Sequence, residues 1–159
     1  KQWQQIDLIV NNAGEYVPGD IGSLRLEQLD EQMNINFRSG FQLIQHFVPS
    51  FKQAGKGRIV FISSQVVRDP RPYAAAYTLS KSLNDVYARL LGEELRESGV
   101  GVTRIVLGSV NTATWGDADV PRDQFVQPEE IAQLVADICQ MPCSTWVEEI
   151  RIRPIDKNW

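Results

Sequence analysis

Short apolar runs and longer helical patterns alternate along this chain. The runs at residues 7–10, 58–63 and 102–107 are continuous and rich in Ile, Val, Leu and Phe, which predicts strands buried on both faces. Residues 147–153 alternate instead, with isoleucines between charged neighbours. That one-sided pattern predicts a strand at the edge of a sheet.

The longer stretches carry apolar residues at helical spacing. They predict helices at residues 24–54, 73–97 and 128–140. Glycines follow the first two patterns and Pro128 opens the third, and both features are typical of helix boundaries. Residues 111–127 are polar and contain one glycine and one proline, which predicts a loop or lid.

This alternation predicts the α/β fold class, with a parallel sheet covered by helices on both faces. Ligands bind such sheets beyond the carboxyl ends of the strands. The unusual residues of this chain fall at those ends: residues 11–14 after the first strand, 63–64 after the second and 108–112 after the third. We therefore expect a single domain over residues 1–159, with a site where these three segments meet.

Composition narrows the classes of partner. The 159 residues carry a formal net charge of -4 with both signs mixed along the chain, which argues against nucleic acid as the main partner. No apolar stretch approaches the roughly 18 residues of a membrane span. Cys139 and Cys143 lack the spacing of a zinc or redox site, and the single His46 lies in an apolar helical pattern. We expect a cytoplasmic protein with reduced thiols, no metal, no membrane segment and no nucleic-acid site.

Tyr77 and Lys81 lie four residues apart near the start of a predicted helix, so both side chains project from one face. An ammonium about 4–6 Å from a phenol favours the phenolate and lowers its pKa by about 1–3 units. The pair could therefore serve as a general acid and base. The alternative is a chance pair on the helix surface, although Tyr77 is the only one of the four tyrosines with a lysine at this spacing.

Several motifs in one order together resemble the short-chain dehydrogenase/reductase family. They are Asn-Asn-Ala-Gly at residues 11–14, Asn36, Ser64, Tyr77, Lys81 and the segment 108–112. The resemblance covers the whole chain. It implies a partial doubly wound, Rossmann-like sheet that holds strands 4-5-6-7 of the family order.

The resemblance also implies a mechanism. Tyr77 would be the general acid/base, Ser64 would polarise the carbonyl, Lys81 would lower the pKa of Tyr77 and bind ribose, and Asn36 would hold a water in a proton relay. The implied cofactor is NAD or NADP, with NADP slightly favoured. The implied cofactor-binding residues are Asn12, Ala13, Gly14, Tyr77, Lys81, Gly108, Val110 and Thr112.

Two departures from the family pattern matter. Leu107 stands where the family usually has proline, a residue that would stiffen the turn before residues 108–112. The family's first strand, its glycine-rich turn and its cofactor-selector residue have no counterpart here. We therefore expect a catalytic half without the N-terminal dinucleotide-binding half, a bare sheet edge at residues 7–10, and poor NAD(P) binding by these residues alone.

Two functions remain open at this point. The first is an oxidoreductase acting on a small carbonyl or alcohol, since the short 111–127 loop leaves little room for a large substrate. The second is a truncated, non-catalytic remnant that acts as a partner-binding protein. By resemblance, helices 24–54 and 73–97 would form a homodimer or homotetramer.

Overall fold

The structure of the protein is a computed structural model, and the residues described from it are 6–156. Its centre is a parallel sheet of four strands in the order β1-β2-β3-β4. The strands are β1 (Leu8–Asn11), β2 (Gly57–Ser64), β3 (Val100–Leu107) and β4 (Glu149–Ile152). The predicted α/β class and all four predicted strands are confirmed.

Four α-helices connect and cover the strands. They are α1 (Leu26–Met33), α2 (Ser39–Ala54), α3 (Ala75–Leu95) and α4 (Pro128–Gln140). A 3₁₀ turn, Arg96–Ser98, extends α3 to the predicted end of that helix, and Gly99 ends it with a φ of 69°.

The prediction of one uninterrupted helix over residues 24–54 was wrong in one respect. A π-helical turn, Asn34–Arg38, separates α1 from α2. The chain stays helical through this turn, so the apolar pattern persists and does not reveal it. π-Helical turns often occur at functional sites, and this one directs Asn36 into the protein interior, where it is 1% exposed.

The core lies on both faces of the sheet, as predicted. On one face α2 and α3 pack against the strands through Ile44, Phe51, Leu91, Leu95, Ile59, Phe61 and Val102. On the other face Ile138 of α4 packs against Val60 and Ile105. Successive side chains of a strand point to opposite sides of the sheet. Ile59 and Phe61 of β2 therefore contribute to one face of the core, and Val60 contributes to the other.

The two edges of the sheet differ. Within residues 6–156, β1 lies at one edge of the sheet and pairs only with β2. Val10 on that strand is 39% exposed. At the other edge β4 keeps its isoleucines partly covered and Arg151 exposed, as the alternating pattern predicts.

Residues 111–127 form an ordered flap rather than an open loop. Val110 and Val126 pair across its base, and the Asn111 N–H donates to the Val126 carbonyl at 2.9 Å. The Trp115 indole N–H donates to the Val110 carbonyl at 2.8 Å. Short 3₁₀ turns at Ala113–Trp115 and Arg122–Gln124 complete the flap.

The remaining side chains considered for metal or redox chemistry lie at the surface. His46 is exposed on α2, and Cys139 and Cys143 are exposed free thiols. Over residues 6–156 no three His, Cys, Asp or Glu side chains come close enough to hold a metal ion. In the same range none of the helices has the length and apolar character needed to cross a membrane.

Candidate active site

A pocket of about 580 Å³ lies at the carboxyl ends of β1, β2 and β3. The three predicted segments therefore meet at one edge of the sheet. The predicted site residues that line the pocket are Asn12, Gly14, Ser64, Tyr77, Lys81, Gly108, Val110 and Thr112. Two others, Ala13 and Asn36, lie outside the lining.

Tyr77 and Lys81 occupy the first turns of α3 and face the pocket. Lys81 is only 5% exposed, so its side chain does not lie on the protein surface. Its Nζ lies 5.8 Å from the centre of the Tyr77 ring and donates a hydrogen bond to the Ile62 carbonyl at 3.1 Å. The spacing along the helix therefore places a buried ammonium beside a phenol.

Ser64 ends β2 and faces Tyr77 from the opposite wall. Its side chain lies near enough to the Tyr77 phenol to lower the pKa of that phenol, and its Oγ accepts from the Val66 N–H at 3.4 Å. The second contact anchors the serine to the 3₁₀ turn that follows β2. A hydroxyl and a phenol thus converge on one point of the pocket, beside the lysine.

The pKa of Tyr77 is raised above its usual value, which is opposite to the predicted direction. Burial of the phenol is the main cause and outweighs the hydrogen bond from Ser64, which lowers the pKa. Burial also lowers the pKa of Lys81 to about 8. The sequence prediction counted the attraction between the two groups but not the cost of burying each of them. Near neutral pH, Tyr77 is therefore a protonated phenol.

Asn36 lies behind the pocket and holds the loop that follows β1. Its Oδ1 accepts from the Glu15 N–H at 2.7 Å, and its Nδ2 donates to the Glu15 carbonyl at 3.0 Å. Asn84 of α3 donates to the backbone carbonyl of Asn36 at 2.9 Å. The π-helical turn, the loop and α3 are thus joined through one buried amide.

Two glycines allow close approaches at this site. A Cβ on Gly14 would lie 3.0 Å from Lys81 Nζ and 3.2 Å from Asn36 Oδ1. A Cβ on Gly40 would lie 2.4 Å from Asn11 Oδ1, so α2 can approach the end of β1 only without a side chain there. Gly14 was predicted as a site residue, whereas Gly40 was not. Its place on the apolar face of that helix was the available signal.

The segment after β3 is held without the usual proline. Leu107 pairs with Ile152, and the Gly108 N–H donates to the Ile152 carbonyl at 2.8 Å. A Cβ on Gly108 would lie 3.0 Å from Arg153 Cγ. Pairing with β4 therefore supplies the support that proline would give, and Gly108 and Val110 both line the pocket.

Several pocket residues were not identified from the sequence. Tyr16, Gln65, Arg71, Tyr73 and Trp115 line its outer part. These residues lie outside the motifs, and among them Trp115 alone falls in the predicted loop or lid of residues 111–127. Arg71 forms an ion pair with Asp69, so the outer part carries little net charge from this pair.

Known proteins similar to this chain share one family. The family model described as short chain dehydrogenase matches residues 1–122. A sepiapterin reductase from Chlorobaculum tepidum is 30% identical over 155 residues, which is 97% of this chain and 64% of that protein. An uncharacterized oxidoreductase from Staphylococcus epidermidis is 27% identical over 150 residues, which is 94% of this chain and 65% of that protein.

Solved structures share the fold. An alcohol dehydrogenase from the archaeon Thermococcus sibiricus, complexed with 5-hydroxy-NADP, superposes with a TM-score of 0.82 at 24% identity, covering 94% of this chain and 63% of that one. A metagenomic short-chain oxidoreductase in complex with NADP superposes with a TM-score of 0.78 at 28% identity. The match covers 95% of this chain and 62% of that one. The chain spans just under two thirds of the length of these relatives. The family model covers most of the chain, and the chain belongs to the short-chain dehydrogenase family.

Proposed function

We propose that this protein is an oxidoreductase that transfers hydride between NAD(P)(H) and a small carbonyl or alcohol. The observation that carries the proposal is the meeting of Ser64, Tyr77 and Lys81 in one pocket at the carboxyl edge of the sheet. A hydroxyl, a phenol and an ammonium in this arrangement suit proton transfer to a carbonyl oxygen. The names of the oxidoreductase relatives support the same reaction class.

Tyr77 acts as the general acid in the reduction. Its raised pKa keeps the proton on the phenol near neutral pH, where it is available to the substrate oxygen. Ser64 donates a hydrogen bond to the same oxygen and so stabilises the negative charge that develops there. In the reverse direction Tyr77 accepts the proton, and the positive charge of Lys81 stabilises the phenolate that then forms.

The pocket fits a nicotinamide cofactor. Ser63 Oγ is buried in its wall, the only such side-chain atom among residues 6–156 without a hydrogen-bond partner, and a ligand could satisfy it. Lys81 Nζ donates one hydrogen bond to the protein and can donate more to a ribose. When bound, the nicotinamide supplies or accepts the hydride. NADP is slightly favoured, because similar structures are described as complexes with NADP.

Residues of two loops complete the cofactor site. Asn12, Ala13 and Gly14 form the loop beside Lys81, and the segment with Gly108, Val110 and Thr112 forms the opposite wall. Asn36 fixes the first of these loops through Glu15. A proton relay through a water at Asn36 remains part of the proposal.

A homodimer or homotetramer is also proposed, through the helices of residues 24–54 and 73–97. These helices leave large apolar side chains exposed on their outer faces, among them Leu43 (50%), Leu79 (45%), Leu83 (40%) and Leu90 (67%). Such residues are typical of an interface between subunits. Sedimentation velocity of the purified protein measures the mass, and a monomer at all concentrations would contradict this proposal.

The exposed free thiols agree with a cytoplasmic location.

The function is tested on the polypeptide at the length its own organism makes. An intact mass well above 18.0 kDa would mean that residues 1–159 are part of a longer enzyme. The native product is then assayed for NADPH oxidation with a set of small ketones and aldehydes. We expect residues 1–159 expressed alone to bind NADPH poorly, and saturable binding by them would contradict that expectation.

The decisive variant is Tyr77→Phe, with Tyr87→Phe as its control. Both remove a phenol oxygen from α3, but Tyr87 lies outside the pocket and contacts Gln45. Tyr77→Phe should lower kcat by roughly 10²–10⁴-fold, and Tyr87→Phe should leave it unchanged within a few fold. Equal activity of the two variants would overturn the proposal and favour the alternative, a non-catalytic remnant that binds a partner. For such a remnant, Tyr77→Phe should leave the effect of the protein in the cell unchanged.

A further inference from the structure

Tyr16 lies where it can control the orientation of Tyr77. The two rings meet edge to face, with centres 5.2 Å apart and planes at 82°. Tyr16 also lines the pocket, and 36% of it is exposed. Edge-to-face pairs of aromatic rings contribute about 0.5–1.5 kcal/mol beyond the area they bury.

The segment that carries Tyr16 is fixed at both ends. On one side Asn36 holds both backbone groups of Glu15, the residue directly before it. On the other side Gly19 donates to the Tyr73 carbonyl at 2.8 Å and accepts from the Ala75 N–H at 3.0 Å. Residues 16–18 therefore bridge the buried amide of Asn36 and the start of the helix that carries Tyr77.

Tyr73 stands near the same ring. It lines the pocket. Burial is the main cause that raises the pKa of Tyr16, and the charge of the Tyr73 phenolate raises that pKa further. The charge of the Tyr16 phenolate likewise adds to the effect of burial on the pKa of Tyr77. Three phenols are thus close together in the pocket lining. No motif of the chain identifies Tyr16 or Tyr73, and the proposed roles of Ser64, Tyr77 and Lys81 do not use them.

We propose that Tyr16 is a positioning residue for the proposed hydride transfer: its ring, anchored through Glu15 and Gly19, holds the Tyr77 phenol against Ser64 and keeps water from it. This inference rests on the proposed function of the pocket and adds a specific residue to it. The ring of Tyr16 provides the contact, so its hydroxyl is dispensable. A flat apolar side chain of the same size should therefore replace it.

The test compares Tyr16→Leu with Tyr16→Phe in the native-length protein. Leucine removes the ring, and we expect kcat to fall about 10–100-fold while the KM for NADPH stays within a few fold, because a small misplacement of the acid affects the chemical step. Phenylalanine keeps the ring and should retain kcat within a few fold. Equal kcat in Tyr16→Leu and the wild type would overturn the proposal, as would an equal loss in both variants.

A second readout separates positioning from a general loss of structure. Tyrosine labelled with ¹³C at Cζ reports each phenol's titration by NMR without any turnover, and the Tyr77 signal is assigned with Tyr77→Phe. Removing the Tyr16 ring admits water to Tyr77, so the pKa of Tyr77 should fall in Tyr16→Leu and the alkaline limb of kcat for reduction should move to lower pH with it. An unchanged Tyr77 titration would overturn the positioning role. If the wild type shows no turnover, the proposed function fails, and the titration still decides whether Tyr16 shields Tyr77.

Discussion

Two buried cations on one side of the sheet have opposite surroundings. Arg104 of β3 is 8% exposed, and its Nη1 contacts Asp85 Oδ1 at 3.1 Å and Glu149 Oε2 at 2.8 Å. Lys81 of α3 is 5% exposed, and over residues 6–156 it forms no ion pair with a carboxylate. One charge is compensated within the protein and the other is not.

We interpret the difference as that between a structural cation and a cation of the proposed active site. The carboxylates around Arg104 come from α3 and β4, so the cluster ties these elements to β3. Arg68, four residues after Ser64, belongs to the same cluster because it forms an ion pair with Glu149. Lys81 instead carries an uncompensated charge toward a pocket, at a cost in stability that is visible in its pKa of about 8. Perturbed groups of this kind gather at functional sites.

The largest effect should follow from Lys81→Met. We expect kcat to fall by roughly 10²–10⁴-fold, because the variant loses the ribose donor and the charge that stabilises the Tyr77 phenolate. The free energy of unfolding at neutral pH should stay equal or rise, since an uncompensated buried charge is removed. Steady-state kinetics and urea denaturation measure the two quantities. A variant that loses stability while keeping its activity would place Lys81 with Arg104 as a structural cation.

Asp85→Ala should show the reverse pattern. Removing one partner from a buried ion pair costs about 3–5 kcal/mol of unfolding free energy, because Arg104 loses part of its compensation. Activity per folded molecule should remain within a few fold, since Asp85 does not line the pocket. Urea denaturation with kcat determined on the folded fraction distinguishes the two outcomes. A large loss of kcat at unchanged stability would contradict the comparison.

The free energy of unfolding should depend on pH through the titration of Lys81. Its pKa is lowered from 10.5 to about 8 by burial, so between these values the unfolded chain holds a proton that the folded protein has lost. The free energy of unfolding should therefore rise through this window, by about 3 kcal/mol in total, with no contribution to the slope below or above it. The difference in unfolding free energy between wild type and Lys81→Met isolates this slope from other groups. A difference that is constant from neutral pH to the top of the window would show that Lys81 keeps its ordinary pKa.

The smallest effect should come from Arg89→Ala, the matched control for the Arg104 cluster. Arg89 Nε contacts Asp85 Oδ2 at 3.4 Å, but its side chain is 52% exposed. Exposed ion pairs contribute little, so we expect a loss below about 1 kcal/mol in urea denaturation and no change in kcat. A loss as large as that of Asp85→Ala would mean that Arg89, rather than Arg104, is the main partner of this carboxylate.

Much of the fold could be predicted because its signals are local. The apolar runs identified every strand, and Pro128 marked the first residue of α4. The π-helical turn at Asn34–Arg38 could not be predicted, because a helix with one wider turn keeps nearly the same apolar pattern. The flap was predicted as a loop or lid, but its ordered structure was not predictable from local sequence, since it comes from pairing between Val110 and Val126, sixteen residues apart.

The site residues likewise divide into those that local sequence identifies and those that depend on distant contacts. Ser64, Tyr77 and Lys81 were found from motif and spacing, and the structure places them together. Tyr16 was missed because its importance comes from a contact with Tyr77 across sixty residues of chain. Gly40 was not predicted as a site residue for a similar reason, since the atoms that exclude a side chain there belong to Asn11.

The sequence by itself determined which face of a helix carries Tyr77 and Lys81, because four residues make about one helical turn. It also determined the alternation of strands and helices that brings three loops to one edge of the sheet. Only the tertiary structure decided that Lys81 is buried without a carboxylate while Arg104 has two. Local spacing sets the direction of a side chain, but its pKa depends on how much water and charge the rest of the fold leaves around it.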